Sequence, residues 1–100
     1  MMQGSTPTHI FRLPIDTNLI QSLRITYAQN ERKVLTKTKK DCVLDGNAVT
    51  VKLTQEETLL FKAKLDAEIQ IHILTVGGDS IPSIIKKVPV RLLLDREVLE

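Results

Sequence analysis

The stretch DAEIQIHILTV, residues 66–76, decides the fold because small and aliphatic side chains alternate in it with polar ones. A period of two is typical of a β-strand that buries one face and exposes the other. The apolar face carries Ala67, Ile69, Ile71 and Ile73. We therefore predict a central strand of a β-sheet at this position.

Two hairpins are predicted upstream of this strand. The Asp-Gly dipeptide at residues 45–46 is a strong signal for a tight turn. It should pair residues 42–44 with the alternating stretch AVTVKL at residues 48–53. A second turn is expected at the Asn-Glu dipeptide of residues 30–31, which connects the stretches LRITYAQ and RKVLTKT.

Further short strands are predicted near both ends of the chain, from THIFRL at residues 8–13 and KKVPVRLLL at residues 86–94. Pro89 has no amide hydrogen to donate, so the last strand should lie at a sheet edge or contain a bulge. About seven short strands with regularly spaced turns favour an all-β fold, an immunoglobulin-like antiparallel β-sandwich.

The stretch LTQEETLLF, residues 53–61, predicts a corner between two strands. Thr54 and Glu57 have the spacing of a capping box, which would begin one helical turn near residues 55–60. Phe61 would then lie under the sandwich as part of this structural corner. Adjacent glutamates on a helix point about 100° apart, so they do not form a catalytic acid and base pair.

Length and composition indicate one domain over residues 1–100, with residues 1–5 and 96–100 as flexible tails. The core must be aliphatic because the chain has only three aromatic residues. The single cysteine, Cys42, excludes an intramolecular disulfide. The first residues lack the basic and apolar regions of a secretion signal, and no apolar run is long enough to span a bilayer. We expect a protein that is cytoplasmic at synthesis.

No residue constellation predicts an enzyme. The two histidines, His9 and His72, lie on different predicted strands without a carboxylate or thiol at ligand spacing. The serines lack the flanking glycines of a nucleophile elbow, and VGGDS lacks the lysine of a phosphate-binding loop. We therefore predict no catalytic residue, no metal, no cofactor and no small-molecule substrate.

A basic segment at residues 31–40, ERKVLTKTKK, offers an alternative function as a nucleic-acid-binding accessory protein. In an extended strand its odd-numbered lysines would share one face and could contact phosphates. The scarcity of aromatics and the net charge of +2 argue against this alternative. The candidate phosphate contacts are Arg32, Lys33, Lys37, Lys39 and Lys40.

Sheet edges and loop tips are the parts of a sandwich that commonly contact partners. We predict an interface at the last strand and at the loop before it, with the formation of a homo-oligomer as one outcome. The candidate interface residues are Val88, Val90, Leu92, Leu93 and Leu94 on the strand, and Gly77, Gly78 and Asp79 in the loop.

The order of four segments resembles a group of small uncharacterised proteins encoded by phages and prophages of Gram-positive bacteria. These segments are TPTHIFRLPIDTNLI, ITYAQNE, LTQEETLLF and EIQIHILTVGGDSI. The resemblance covers nearly the whole chain but includes no catalytic motif, and the present sequence is more basic in TKTKK and IIKKVPV. It implies a bacterial host, other phage or host proteins as partners, and association with the virion. Together with the predicted sandwich, it implies a non-enzymatic structural or assembly module.

Overall fold

The computed structural model describes residues 1–83 and 85–100, which form two antiparallel β-sheets and one short α-helix. The strands are β1 (Thr8–Arg12), β2 (Ile20–Gln29), β3 (Arg32–Thr38), β4 (Cys42–Asp45), β5 (Ala48–Lys52), β6 (Ala67–Thr75), β7 (Ser80–Pro82) and β8 (Lys86–Val88). The helix α1 spans Gln55–Thr58, and short 3-10 turns occupy Thr17–Leu19 and Lys39–Asp41.

The strands divide between the sheets in an order that requires repeated crossing from one layer to the other. Sheet one has the order β1-β5-β4, and sheet two has the order β3-β2-β6-β7, with β8 also paired to β6. All strand pairs within both sheets are antiparallel. The prediction of an all-β, immunoglobulin-like antiparallel sandwich is confirmed.

The core lies between the two sheets and is mostly aliphatic, as the composition predicts. Strand β6 supplies its alternate residues from Ala67 to Ile73, and it lies between β2 on one side and β7 and β8 on the other. The prediction of a central strand is therefore confirmed. Val49 and Val51 enter the core from sheet one, and the ring of Tyr27 packs edge-on against that of Phe61.

Both predicted hairpins are present. β4 and β5 pair across a turn at residues 46–47, where Gly46 has a φ of 58° that suits glycine. β2 and β3 pair across Asn30 and Glu31, which have φ values of 53° and 66°. Positive φ at both central residues belongs to the turn type whose twist matches that of paired strands.

The predicted corner follows β5. The Thr54 side chain accepts a hydrogen bond from the amide of Glu57 at 3.2 Å, and the Glu57 carboxylate accepts one from the amide of Thr54 at 2.8 Å. These reciprocal bonds form the capping box of α1. Phe61 is buried beneath the corner, as the sequence predicts.

The last strand is shorter than predicted. Regular pairing in this segment is limited to β8, and Pro89 interrupts it. Beyond Pro89 the chain lies between two other segments, because the carbonyl of Val90 accepts from the amide of Lys64 at 2.9 Å and the amide of Arg91 donates to the carbonyl of Met1 at 2.9 Å. Among the described residues β8 pairs with β6 alone, so the predicted edge position is confirmed, but regular strand pairing does not continue to residue 94.

Residues 1–5 and 96–100 were expected as flexible tails, but both segments contact the sandwich. Gln3 is 2% exposed, and its amide side chain donates to the carbonyl of Phe61 and accepts from the amide of Leu93. Arg96 donates to the carbonyl of Leu59 at 2.7 Å. Polar side chains of the chain itself thus hold both segments in place.

We expect the substitution Thr54→Ala to lower the free energy of unfolding by about 1 kcal/mol, because it removes the side-chain acceptor at the start of α1. Thr54→Ser keeps the hydroxyl and should retain most of the stability. Urea denaturation of the three proteins measures the difference. Equal stability of the alanine and serine variants would contradict the role of the capping box.

Candidate functional site

A β-bulge divides the predicted basic stripe between two faces of sheet two. Tyr27 pairs with Leu35, but the next residue of β2, Ala28, pairs with Lys33, so Val34 is an extra residue in β3. Odd-numbered residues of β3 on the two sides of the bulge therefore lie on opposite faces of the sheet. Lys33 lies on the outer face of the sheet, whereas Lys37 lies on the inner face.

Lys37 is therefore not available as a phosphate contact. It pairs with Ile25, which is fully buried, and its side chain is 12% exposed. Its ammonium group forms an ion pair with Glu57 of α1, with 2.5 Å between Nζ and Oε2. Burial raises the pKa of Glu57, but hydrogen bonds from Lys37 and from the amide of Thr54 outweigh this effect and hold the pKa below its usual value.

Two of the predicted cations instead join a groove on the outer face of sheet two. Lys39 and Lys40 follow β3 in a 3-10 turn, and beside them Arg24 of β2 is paired directly with His72 of β6. We call this the basic groove, which has a volume of about 500 Å³. Its lining residues are Ser22, Leu23, Arg24, Thr38, Lys39, Lys40, His72 and Leu74.

The basic groove has three formal positive charges and, among the described residues that line it, no carboxylate. Lys39 is held in place because its Nζ donates to the carbonyl of Ile20 at 3.0 Å. Arg24 and Lys40 are exposed. His72 is fixed by a hydrogen bond of 2.6 Å between its Nε2 and the hydroxyl of Ser80. An arrangement of this kind favours an anionic ligand.

The predicted loop between β6 and β7 lies next to the basic groove, because Leu74 lines the groove and the loop begins two residues later. Thr75 orders the turn by accepting from the amides of Gly78 and Asp79, each at 3.0 Å. Val76 is 62% exposed, and its amide donates to the carbonyl of Leu19, which is 45% exposed. We call Leu19 together with residues 76–79 the loop tip.

The remaining predicted site residues are separated from this surface. Val88 and Val90 pack into or against the core, and Leu93 contacts Gly4. The side chains of Leu92 and Leu94 are exposed, although the backbone beside them at Arg91 forms hydrogen bonds with residues 1–3. Arg32 and Lys33 are exposed at the opposite end of β3 from Lys39 and Lys40. The loop residues Gly77, Gly78 and Asp79 follow Leu74, which lines the groove together with Lys39 and Lys40.

Arg24 and His72 are the site residues that sequence reasoning missed. Each lies on the polar side of a correctly predicted alternating strand, but only the pairing of β2 with β6 brings them together. The alternation itself placed both side chains on a solvent-facing surface. The sequence did not show that β6 pairs with β2, and this pairing is what brings Arg24 and His72 together.

A second polar cluster lies between the sheets and holds them together. Nδ1 of His9 is 2.6 Å from the hydroxyl of Tyr27, which is fully buried. Burial raises the pKa of Tyr27, as do nearby Cys42 and Glu57, so its hydroxyl keeps its proton in this hydrogen bond with the imidazole. Burial lowers the pKa of His9, and the positive N-terminus lowers it further.

The thiol of Cys42 belongs to the same region and donates to the carbonyl of Thr38 at 3.3 Å. Burial and the charge of Asp41 raise its pKa, so the thiol stays protonated at neutral pH. Among residues 1–83 and 85–100 no group of three or more histidine, cysteine, aspartate or glutamate residues could hold a metal ion. In that same part of the chain, no helix is long and apolar enough to cross a membrane.

Comparisons with known proteins show similarity at the level of the fold. No protein-family model and no curated protein matches this chain. Among solved structures the chain is similar to the V domain of an amphioxus IgVJ-C2 protein, with 12% identity over 90% of this chain and 96% of that one. The TM-score is 0.37, so the similarity says nothing about what the chain binds.

We expect the free energy of unfolding to fall as the pH is lowered below about 6.5, the pKa of an unperturbed histidine, because unfolded His9 binds a proton more readily than folded His9. The loss should continue down to the folded pKa, at no more than about 1.4 kcal/mol per pH unit. Denaturation across this pH range measures the loss of stability in two proteins, His72→Gln alone and His72→Gln combined with His9→Gln. An unchanged slope between pH 7 and pH 5 without His9 would contradict the assignment.

Proposed function

We propose that the chain is a non-enzymatic protein-interaction module and that its contact surface is the basic groove together with the loop tip. The observation that carries this proposal is a groove with three cations and no carboxylate among its described lining residues, beside two exposed aliphatic side chains, Leu19 and Val76. Interfaces combine such apolar contacts with charged groups that select and orient the partner.

The chemistry of this surface selects the class of partner. Its cations favour carboxylates, whereas the loop tip and the partly buried Leu74 favour aliphatic side chains. A polypeptide segment in which acidic and aliphatic residues alternate satisfies both preferences.

Nucleic-acid binding by residues 32–40 is supported less well than protein binding. The bulge at Val34 removes Lys37 from the outer face and separates Lys33 from the groove. Three clustered cations remain, whereas nucleic-acid affinity rises with the number of phosphates that a protein neutralises. The described residues lining the groove include no aromatic side chain other than the imidazole of His72 for base stacking.

The resemblance of the sequence to small phage and prophage proteins supports a setting for this module. In that setting it is a structural or assembly protein made in the bacterial cytoplasm, and it associates with the virion through other phage or host proteins. The surface described above supplies the contact that such a role requires. The setting rests on the sequence pattern alone.

Fluorescence anisotropy with a short labelled peptide of alternating glutamate and leucine tests the proposal. We expect binding that weakens with added salt, and a loss of about tenfold in affinity for the variant Arg24→Glu/Lys40→Glu, because about 1.4 kcal/mol of favourable charge interaction is reversed. The matched control Arg32→Glu/Lys33→Glu makes the same charge change at the other end of β3 and should bind normally.

Two results would overturn the proposal. One is the absence of peptide binding at low salt. The other is an equal loss of peptide affinity in the groove variant and in the control, which would indicate a general effect of net charge. Tighter binding of a labelled single-stranded oligonucleotide than of the peptide would favour the nucleic-acid alternative.

A further inference from the structure

We propose that the partner of the basic groove is a second copy of this chain, whose residues 94–100 enter the groove. This inference rests on the proposed function, since it names the partner of the same surface.

Residues 94–100, LDREVLE, have the composition that the groove and loop tip select. We call them the acidic segment. Leu94 is 93% exposed and Leu99 is 82% exposed. Between and beyond them lie three exposed carboxylates, and within the described residues no cation is at ion-pair distance from any of them. These carboxylates belong to Asp95, Glu97 and Glu100.

The acidic segment is held in place through the backbone of Leu99 and the side chain of Arg96, and within it the Asp95 carboxylate accepts from the amide of Glu97 at 3.1 Å. The side chain of Gln55 exchanges two hydrogen bonds of 3.0 Å with the backbone of Leu99, and Arg96 donates to the carbonyl of Leu59. The side chains of Leu94 and Leu99 are therefore solvent-exposed in the folded chain, and no change in fold is needed for them to contact a partner. A segment that is already ordered loses less conformational entropy when it binds.

The groove and the acidic segment lie on opposite sides of sheet two. Lys37 on the inner face reaches Glu57 of α1, so α1 lies on the inner side of the sheet, and Gln55 of α1 anchors the acidic segment. The basic groove opens on the outer face, where Arg24 and His72 pair. While these anchors hold, the acidic segment stays on the inner side of the sheet, so we expect its contact with a groove to form between copies.

A contact between two different surfaces of one molecule is heterologous, so each copy could bind one neighbour at its groove and another at its segment. Such contacts form rings when the rotation closes and open chains when it does not. The expected behaviour is a solution mass that rises with protein concentration. Because the contact pairs exposed charges, the mass should fall at high salt.

Charge exchange tests the inference by light scattering on a size-exclusion column. The groove variant Arg24→Glu/Lys40→Glu and the segment variant Asp95→Lys/Glu97→Lys should each be monomeric, because each places like charges opposite one another. The chain with all four substitutions keeps the wild-type net charge of +2 and regains opposite charges, so its association should return. Arg32→Glu/Lys33→Glu combined with the segment variant has the same net charge and should stay monomeric.

A wild-type chain that is monomeric at every concentration and salt would overturn this inference. So would association that persists in the groove variant, or that fails to return in the fourfold variant. If the glutamate and leucine peptide binds the groove while the wild-type chain stays monomeric, the proposed function stands and only the second copy as partner is wrong. If neither occurs, both are wrong.

Discussion

The β-bulge at Val34 determines how the basic strand β3 is used. An extra residue reverses the alternation of faces, so Lys33 points outward and Lys37 points inward. The bulge is itself stabilised, because Val34 is partly buried against the core and Leu35 reaches the inner face opposite Tyr27. Without the bulge, the aliphatic side chain of Leu35 and the ammonium group of Lys37 could not share the inner face with Tyr27 and Ile25.

The inward position of Lys37 connects the corner to sheet two. Its ion pair with Glu57 joins a strand of sheet two to the helix that follows sheet one, and the same carboxylate accepts from the amide of Thr54. Glu57 therefore caps its own helix and binds the opposite sheet at once. Partly buried ion pairs of this kind contribute little net stability when both charges must be desolvated, but they fix the relative position of the elements that they join.

Local patterns in the sequence were sufficient for the elements that depend on local physics. The period of two in β6, the turn at residues 46–47 and the capping box each follow from neighbouring residues, and all three are present. The bulge could not be predicted, because its register depends on how β2 packs. The covering of residues 89–93 by residues 1–3 also depends on contacts between distant parts of the chain.

The candidate site also combines residues that local sequence identifies with residues that only the sheet register brings together. Lys39 and Lys40 were recognised as a basic cluster, but the direct pairing of Arg24 with His72 that completes the groove follows from the β2–β6 register. The position of Leu93 also depends on distant contacts, because a run of three leucines gives no indication of which one faces inward. In the structure Leu93 packs on Gly4, whose φ of 77° brings the N-terminal segment close.

The most direct test of the bulge is the reactivity of individual lysines toward an amine-acetylating reagent, followed by mass spectrometry. Lys37 should react much more slowly than Lys33 and Lys40, because its side chain is 12% exposed and its ammonium group is paired with Glu57. Acetylation of Lys37 should accelerate in the variant Glu57→Gln. If Lys37 reacts as fast as Lys33 in the folded wild-type chain, the bulge is not where the structure places it, and the basic stripe is continuous.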